Sequence, residues 1–204
     1  LWAQARVQST YARYSRVRAV RGITADQVAR RILDANGLRD VSIQRIAGSL
    51  TDHYDPRERV VRLSETVYGS PSIAAIGVAA HEVGHAVQHA TGYAPLKLRT
   101  AIVSVTNIGS TLSMPLILIG ILLNSSRLAL VGVALFGLVA VFQLVTLPVE
   151  FNASSRALAT LDGMDILGRE ELGGARQVLT AAALTYVAAL IQSLAQLLRL
   201  LLLV

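Results

Sequence analysis

The spacing of apolar positions changes repeatedly along the chain, and each change predicts an element. Between residues 24 and 36, Val28, Ile32 and Leu33 recur at helical spacing and predict a short amphipathic helix. Thr24, with Gln27 three residues on, reads as a capping box at its start, and Gly37 as its stop. The period then shortens: Val41, Ile43 and Ile46 begin one strand, and Val60, Val61 and Leu63 make a second. The turn-rich run Leu50-Thr51-Asp52-His53-Tyr54-Asp55-Pro56-Arg57-Glu58 joins them, so the pair reads as a short β-hairpin. Gly69-Ser70-Pro71-Ser72 breaks the chain before a long helix from about 73 to 91, which Gly92 closes.

Beyond residue 100 the alternation gives way to continuous apolarity. Residues 101–123, 128–149 and 178–198 contain no Asp, Glu, Lys or Arg. Each exceeds the roughly 18–20 residues that cross a bilayer core as helix. Only Asn124-Ser125-Ser126-Arg127 joins the first two, which predicts a helical hairpin. Buried helices of a soluble core would need more covering polar chain than 204 residues provide. Composition agrees: 16% of residues are charged and 53% are apolar, against about 25% charged in a soluble domain. The expected fold is a mainly α integral membrane protein with a small α+β cytoplasmic zincin-like portion and three transmembrane helices. Its parts are a juxtamembrane basic segment (1–22), the zincin-like portion (23–100), the transmembrane hairpin (101–149), a returning segment (150–177) and a C-terminal transmembrane helix (178–204).

The net charge of +6 matters less than where it lies, because 14 of the 19 Lys and Arg fall in residues 1–99. The hairpin returns residues 150–177 to the same side, bringing Arg156, Arg169 and Arg176 with them, while the opposite loop holds only Arg127. The positive-inside rule therefore orients the basic side to the cytoplasm of a cell inner membrane. Arg199 fits as a residue that snorkels to the outer interface. Trp2 followed by Arg6, Arg13, Arg16, Arg18 and Arg21 reads equally as the end of a membrane helix or as an ordinary exposed one. The basic residues sit beside apolar spans without interleaved aromatics, so no nucleic-acid partner is expected; the expected partners are the lipid bilayer and a peptide or protein substrate. Small residues in 128–140 allow helix packing without requiring a second copy, which leaves the oligomeric state open.

Candidate chemistry centres on His81-Glu82-Val83-Gly84-His85. Histidines four apart on a helix are about 40° apart in azimuth and one turn in height, so both imidazoles can reach one Zn²⁺. With no cysteine in the chain, His, Asp and Glu are the donors left for a metal. Small or apolar neighbours, Val78-Ala79-Ala80 and Val83-Gly84, suit a buried helix, and Gly84 admits a close neighbour. A third ligand must come from elsewhere. His89 fails as one, lying about 12 Å along the helix from His81 and rotated by about 80°. His53 sits in the connecting loop, where substrate contact suits it better. Glu150 is the better candidate, since it follows Pro148 at the end of the second apolar span and heads a helical face shared with Ala153 and Ser154.

Three motifs together, Leu50-Thr-Asp-His-Tyr-Asp-Pro56, Val78-Ala-Ala-His-Glu-Val-Gly-His85 and Leu147-Pro-Val-Glu-Phe-Asn-Ala-Ser154, resemble the YugP-type neutral zinc metallopeptidases of bacterial membranes. Ala181-Ala-Ala-Leu-Thr-Tyr-Val-Ala-Ala189 is also similar to them. That family usually begins with a transmembrane helix, which the resemblance implies ahead of Leu1. A more distant likeness is to the CAAX-processing and HtpX-type heat-shock membrane peptidases, whose third ligand is the Glu of a Glu-x-x-Ala-Asp pattern. The resemblance implies one Zn²⁺ per chain held by His81, His85 and Glu150, with Glu82 as general base of a metalloendopeptidase. This chain has Ser154 where the wider group has Asp. Ser154 itself, Asp52 and Asp55 are the candidates to replace that carboxylate. For the oxyanion, His53, Tyr54, Tyr186 and Arg156 are candidate donors, and the likeness favours His53 and Tyr186. The strands near 41–46 and 59–63 are expected to offer an edge to an extended substrate. The competing reading is a metal-binding membrane scaffold that cleaves nothing; a pore component fits less well, because the apolar spans carry almost no ionisable residues.

Overall fold

The structure, a computed structural model, describes residues 2–204. Its elements run α1 (Trp2–Tyr14), α2 (Ala25–Ala35), β1 (Ser42–Ile46), β2 (His53–Asp55), β3 (Val60–Ser64), α3 (Ile73–Ala90), α4 (Ala94–Leu122), α5 (Ser126–Gly163) and α6 (Arg169–Leu203). They form two compact units. The first comprises the chain up to Tyr93 together with Val149–Thr185, and the second comprises Ala94–Pro148 with Tyr186–Val204.

In the first unit, α2 begins where the sequence predicts: the Thr24 N–H donates to Gln27 Oε1 at 3.3 Å. Val28, Ile32 and Leu33 face a core shared with Val61 and Leu63 of β3, Ile76 and Val83 of α3, and Leu161 and Leu179 of the later helices. From α1, Tyr11 and Tyr14 pack onto the same core. The sheet departs from the simple hairpin expected. The turn-rich connection contains a strand of its own, β2, and the sheet order is β1-β3-β2. β3 pairs in parallel with β1 and antiparallel with β2, so the hairpin is β2–β3. Residues 59–63 therefore offer no free edge; the outer edges belong to β1 and β2. Asp55 makes the β2–β3 turn by accepting from the backbone N–H groups of Arg57 at 2.8 Å and Glu58 at 3.3 Å. Those bonds favour its ionised form and lower its pKa.

Helix α3 starts at Ser72, whose hydroxyl accepts from the Ala75 N–H at 3.2 Å. Its end is a Schellman turn around Gly92 (φ +65°), with Tyr93 N–H bonded to Gln88 O at 2.9 Å. α2 ends the same way at Gly37, and α5 at Asp165.

The second unit is helical. Among the described residues, three helices are long and apolar enough to cross a membrane: α4, α5 and α6, with 29, 38 and 35 residues. Their helical runs extend well past the uncharged segments read from the sequence. Asn124 (φ +52°) closes the α4–α5 hairpin with a fourth Schellman-type turn, Ser125 N–H to Gly120 O at 2.8 Å. The hairpin packs through glycines. A Cβ at Gly132 would lie 2.7 Å from Ser113 O, and one at Gly120 would lie 2.8 Å from Ala129 Cα. The Ser113 hydroxyl donates to Gly132 O at 2.9 Å across that contact.

Candidate metal centre

Gly77, Ala80 and Gly84 fall on one face of α3 and keep it thin, so that neighbours approach closely. At Gly84 the approach is closest: a Cβ there would meet Ala153 O of α5 at 2.8 Å. That contact sets the part of α5 carrying Glu150 directly against the turn carrying His81 and His85. All of these residues belong to the first unit.

Glu150 is buried, and His81 and His85 are each only partly exposed. Glu150 Oε2 lies 3.3 Å from His81 Nε2 and 3.5 Å from His85 Nε2. The two imidazoles stand edge to face, 4.7 Å between centroids. One donor atom from each of the three residues lies within 4.8 Å of the others, and among the described residues this is the group of three or more such side chains that can hold an ion. Tetrahedral zinc with bonds of about 2.0–2.1 Å spaces its donors roughly 3.4 Å apart, close to both separations. The outer nitrogens are occupied: His81 Nδ1 is 3.1 Å from Ser154 Oγ and His85 Nδ1 is 3.0 Å from Gln88 Oε1. A ring that donates through Nδ1 presents its Nε2 lone pair inward. Two such lone pairs and a carboxylate oxygen in a buried space repel one another unless a proton or a cation lies between them. For His85, burial works against the charged imidazolium, but the bond to Glu150 and the charges of Glu82 and Glu150 outweigh it and raise its pKa. The donor set therefore fits zinc.

Ser154 stands beside His81 Nδ1, at the position for which the distant likeness implied a carboxylate. Asp52 and Asp55 do not replace it. Asp52 accepts from the Ser64 N–H and hydroxyl at 2.7 and 2.9 Å, and Asp55 makes its own turn. Sequence reading missed Gln88, fully buried on α3 with its amide nitrogen 2.8 Å from Val149 O and 3.0 Å from Asn152 Oδ1. The available signal was its place seven residues after His81 and three after His85, on their face of the helix. Arg156, a candidate oxyanion donor, uses its Nε on Asn152 Oδ1 at 2.8 Å.

His53 opens β2 and is not one of the clustered donors; its Nδ1 donates to Thr51 O at 2.8 Å. In that tautomer Nε2 is an acceptor, so His53 donates to an oxyanion only as the imidazolium. The Tyr54 hydroxyl lies 2.9 Å from His89 Nδ1, which accounts for His89 without ligation. Burial raises the Tyr54 pKa. Tyr186 lies on α6 in the second unit, partly buried.

No solved structure matches this chain. A curated relative from Bacillus subtilis (strain 168), "Putative membrane protease YugP", is 52% identical over 198 residues, covering 97% of this chain and 88% of the relative. The profile of a family described as "Putative neutral zinc metallopeptidase" matches residues 1–204. With its histidine pair and buried carboxylate drawn together on two helices, the chain belongs to that family of neutral zinc metallopeptidases.

Proposed function

We propose that the chain is a zinc-dependent endopeptidase of the cell membrane that cleaves peptide bonds on the cytoplasmic side. The observation that carries this reading is the convergence of His81 Nε2, His85 Nε2 and Glu150 Oε2, with both Nδ1 atoms already engaged. His81, His85 and Glu150 act as ligands. Zinc held there supplies Lewis acidity that polarises the scissile carbonyl and brings the acidity of water into the neutral range. Glu82 is next to His81 on α3, partly exposed and outside the ligand set. It takes a proton from the attacking water and hands it to the departing amine, while oxygen bonds to the carbonyl carbon and the C–N bond breaks. His53 is the proposed donor to the oxyanion, as the family likeness suggests. An extended substrate would pair with the outer edge of β2 or β1, and proline at alternate substrate positions should then block cleavage. The cytoplasmic assignment rests on the 17 Lys and Arg of residues 1–100 and 150–177 against the lone Arg127 of the α4–α5 loop.

The deciding variant is Glu82→Gln, reconstituted in vesicles and assayed on a quenched fluorescent peptide pool alongside its metal content. Zinc content should stay at the wild-type level while cleavage falls by at least about a hundredfold, within the range for loss of a general base. Undiminished cleavage in the variant would remove Glu82 from the mechanism. A zinc-loaded wild type that cleaves nothing in the pool would favour the scaffold reading. The chain has no cysteine, so a cysteine introduced at exposed Ser49 reports the side of the membrane by its access to an impermeant thiol reagent.

A further inference from the structure

We infer that Gln88 is a positioning residue: it dictates which nitrogen of His85 carries the proton and clamps that histidine to the turn of α5 bearing Glu150. The inference rests on the metal-centre reading and extends it to a side chain that donates nothing to the ion.

Gln88 is fully buried, so every polar atom of its amide must find a partner inside the protein. The two ends of a side-chain amide are told apart by what surrounds them, and here two independent neighbours agree. Val149 O, 2.8 Å away, is a backbone carbonyl and can only accept. Asn152 is oriented by Arg156, whose guanidinium can only donate; its Nε lies 2.8 Å from Asn152 Oδ1. That same oxygen lies 3.0 Å from the Gln88 amide nitrogen. Both neighbours demand the NH₂ group on the α5 side, so Oε1 must face His85 Nδ1, 3.0 Å away.

A carbonyl oxygen accepts, so His85 Nδ1 carries a proton and Nε2, on the side of Glu150 Oε2, is the nitrogen left to ligate. A hydrogen-bond network thus runs between Arg156 and Val149 O: His85 donates to Gln88, Gln88 donates to Val149 O and to Asn152 Oδ1, and Arg156 donates to that same Asn152 oxygen. Its two fixed ends, a pure donor and a pure acceptor, are on α5, while the histidine it controls is on α3. The clamp is also mechanical. Val149 and Asn152 lie on either side of Glu150, so the residue that orients one ligand holds α5 around another, by the Val149 carbonyl before it and the Asn152 side chain after it.

The test uses the full chain with Gln88→Met, which keeps the volume and removes both hydrogen-bonding ends, and with Asn152→Ala, which removes only the distal link. Two quantities are read: the zinc dissociation constant by chelator competition, and the ¹⁵N signature of the neutral His85 ring in metal-free protein. With four histidines in the chain, single substitutions suffice to assign that signal. Gln88→Met should weaken zinc binding about 10–100-fold, as loss of a partner to a ligating histidine does, and abolish the preference for the proton on Nδ1. Asn152→Ala should move both readouts the same way and less far. A folded Gln88→Met protein with zinc affinity within about threefold of wild type, or with an unchanged His85 signature, overturns the inference. If Gln88→Met does not fold, unchanged readouts in Asn152→Ala overturn it instead. Absence of zinc binding in the wild type would sink the metal-centre reading alone, and the ¹⁵N pattern would still decide the role of Gln88.

Discussion

The two units use one packing device for different ends. In the apolar unit, Gly120 and Gly132 let α4 and α5 approach until backbones touch. Helices in lipid gain little from apolar burial, so close van der Waals contact must hold them together. In the other unit, Gly84 admits Ala153 as closely, but here the sheet and α2 already supply an ordinary hydrophobic core. The short distance serves chemistry: it sets Glu150 within reach of two imidazoles. A small residue in the hairpin therefore protects stability, and one in α3 protects geometry.

Substitutions can break this contrast. The largest effect is expected for Glu150→Ala, which removes one of three proposed ligands; zinc affinity should fall by more than the roughly 100-fold that marks loss of an outer partner, as measured by chelator competition. Gly84→Ala and Gly132→Ala form a matched pair. Each inserts a methyl against backbone and should cost about 1–3 kcal/mol in denaturation, but only Gly84→Ala should weaken zinc binding. Equal zinc affinity in the two variants would erase the distinction. Ser113→Ala deletes the hydroxyl bond to Gly132 O and should cost about 0.6 kcal/mol, typical of interhelical bonds in membranes, with the metal unaffected.

The smallest effect concerns Asp55. Its folded pKa lies below the ordinary 3.8 because two backbone N–H groups favour the carboxylate. Its contribution is therefore present above pH 3.8 and is lost as pH falls through the lower folded value. Asp55→Asn should flatten that acid limb of the stability curve by lowering the neutral plateau slightly, with the acid end nearly unchanged.

Much of this was readable beforehand, for local reasons. The Thr24–Gln27 cap, the Gly37 and Gly92 stops and the 73–91 helix depend on residues within a few positions of one another. The meeting of Glu150 with His81 and His85 followed from chain path: a hairpin of two spans must return. What escaped depends on contacts distant in sequence. β2 is three residues long inside a run rich in Asp, Pro and charge, and it exists because β3 offers it an edge. The parallel β1–β3 pairing leaves no mark in either strand's own pattern. Hydropathy marks where lipid ends and not where a helix ends, so α5 was read past the apolar span as far as Ser154 while its further run to Gly163 was not. The stop at Asp165 lacks the glycine that announces such turns, whereas the one at Asn124 was read from its polar run. Gln88 looked like any polar residue on a helix until its neighbours from α5 were known.

The three donors share one further property: none is on a loop. His81 and His85 are in the middle of an 18-residue helix, and Glu150 lies well inside a 38-residue one. Only side-chain torsions remain to be frozen when an ion arrives. Loading should therefore cost little ordering entropy, and stripping the ion with a chelator should leave the helical circular dichroism as it was. Unlike a zinc finger, which collapses without its ion, this protein would keep its shape empty and wait for the metal.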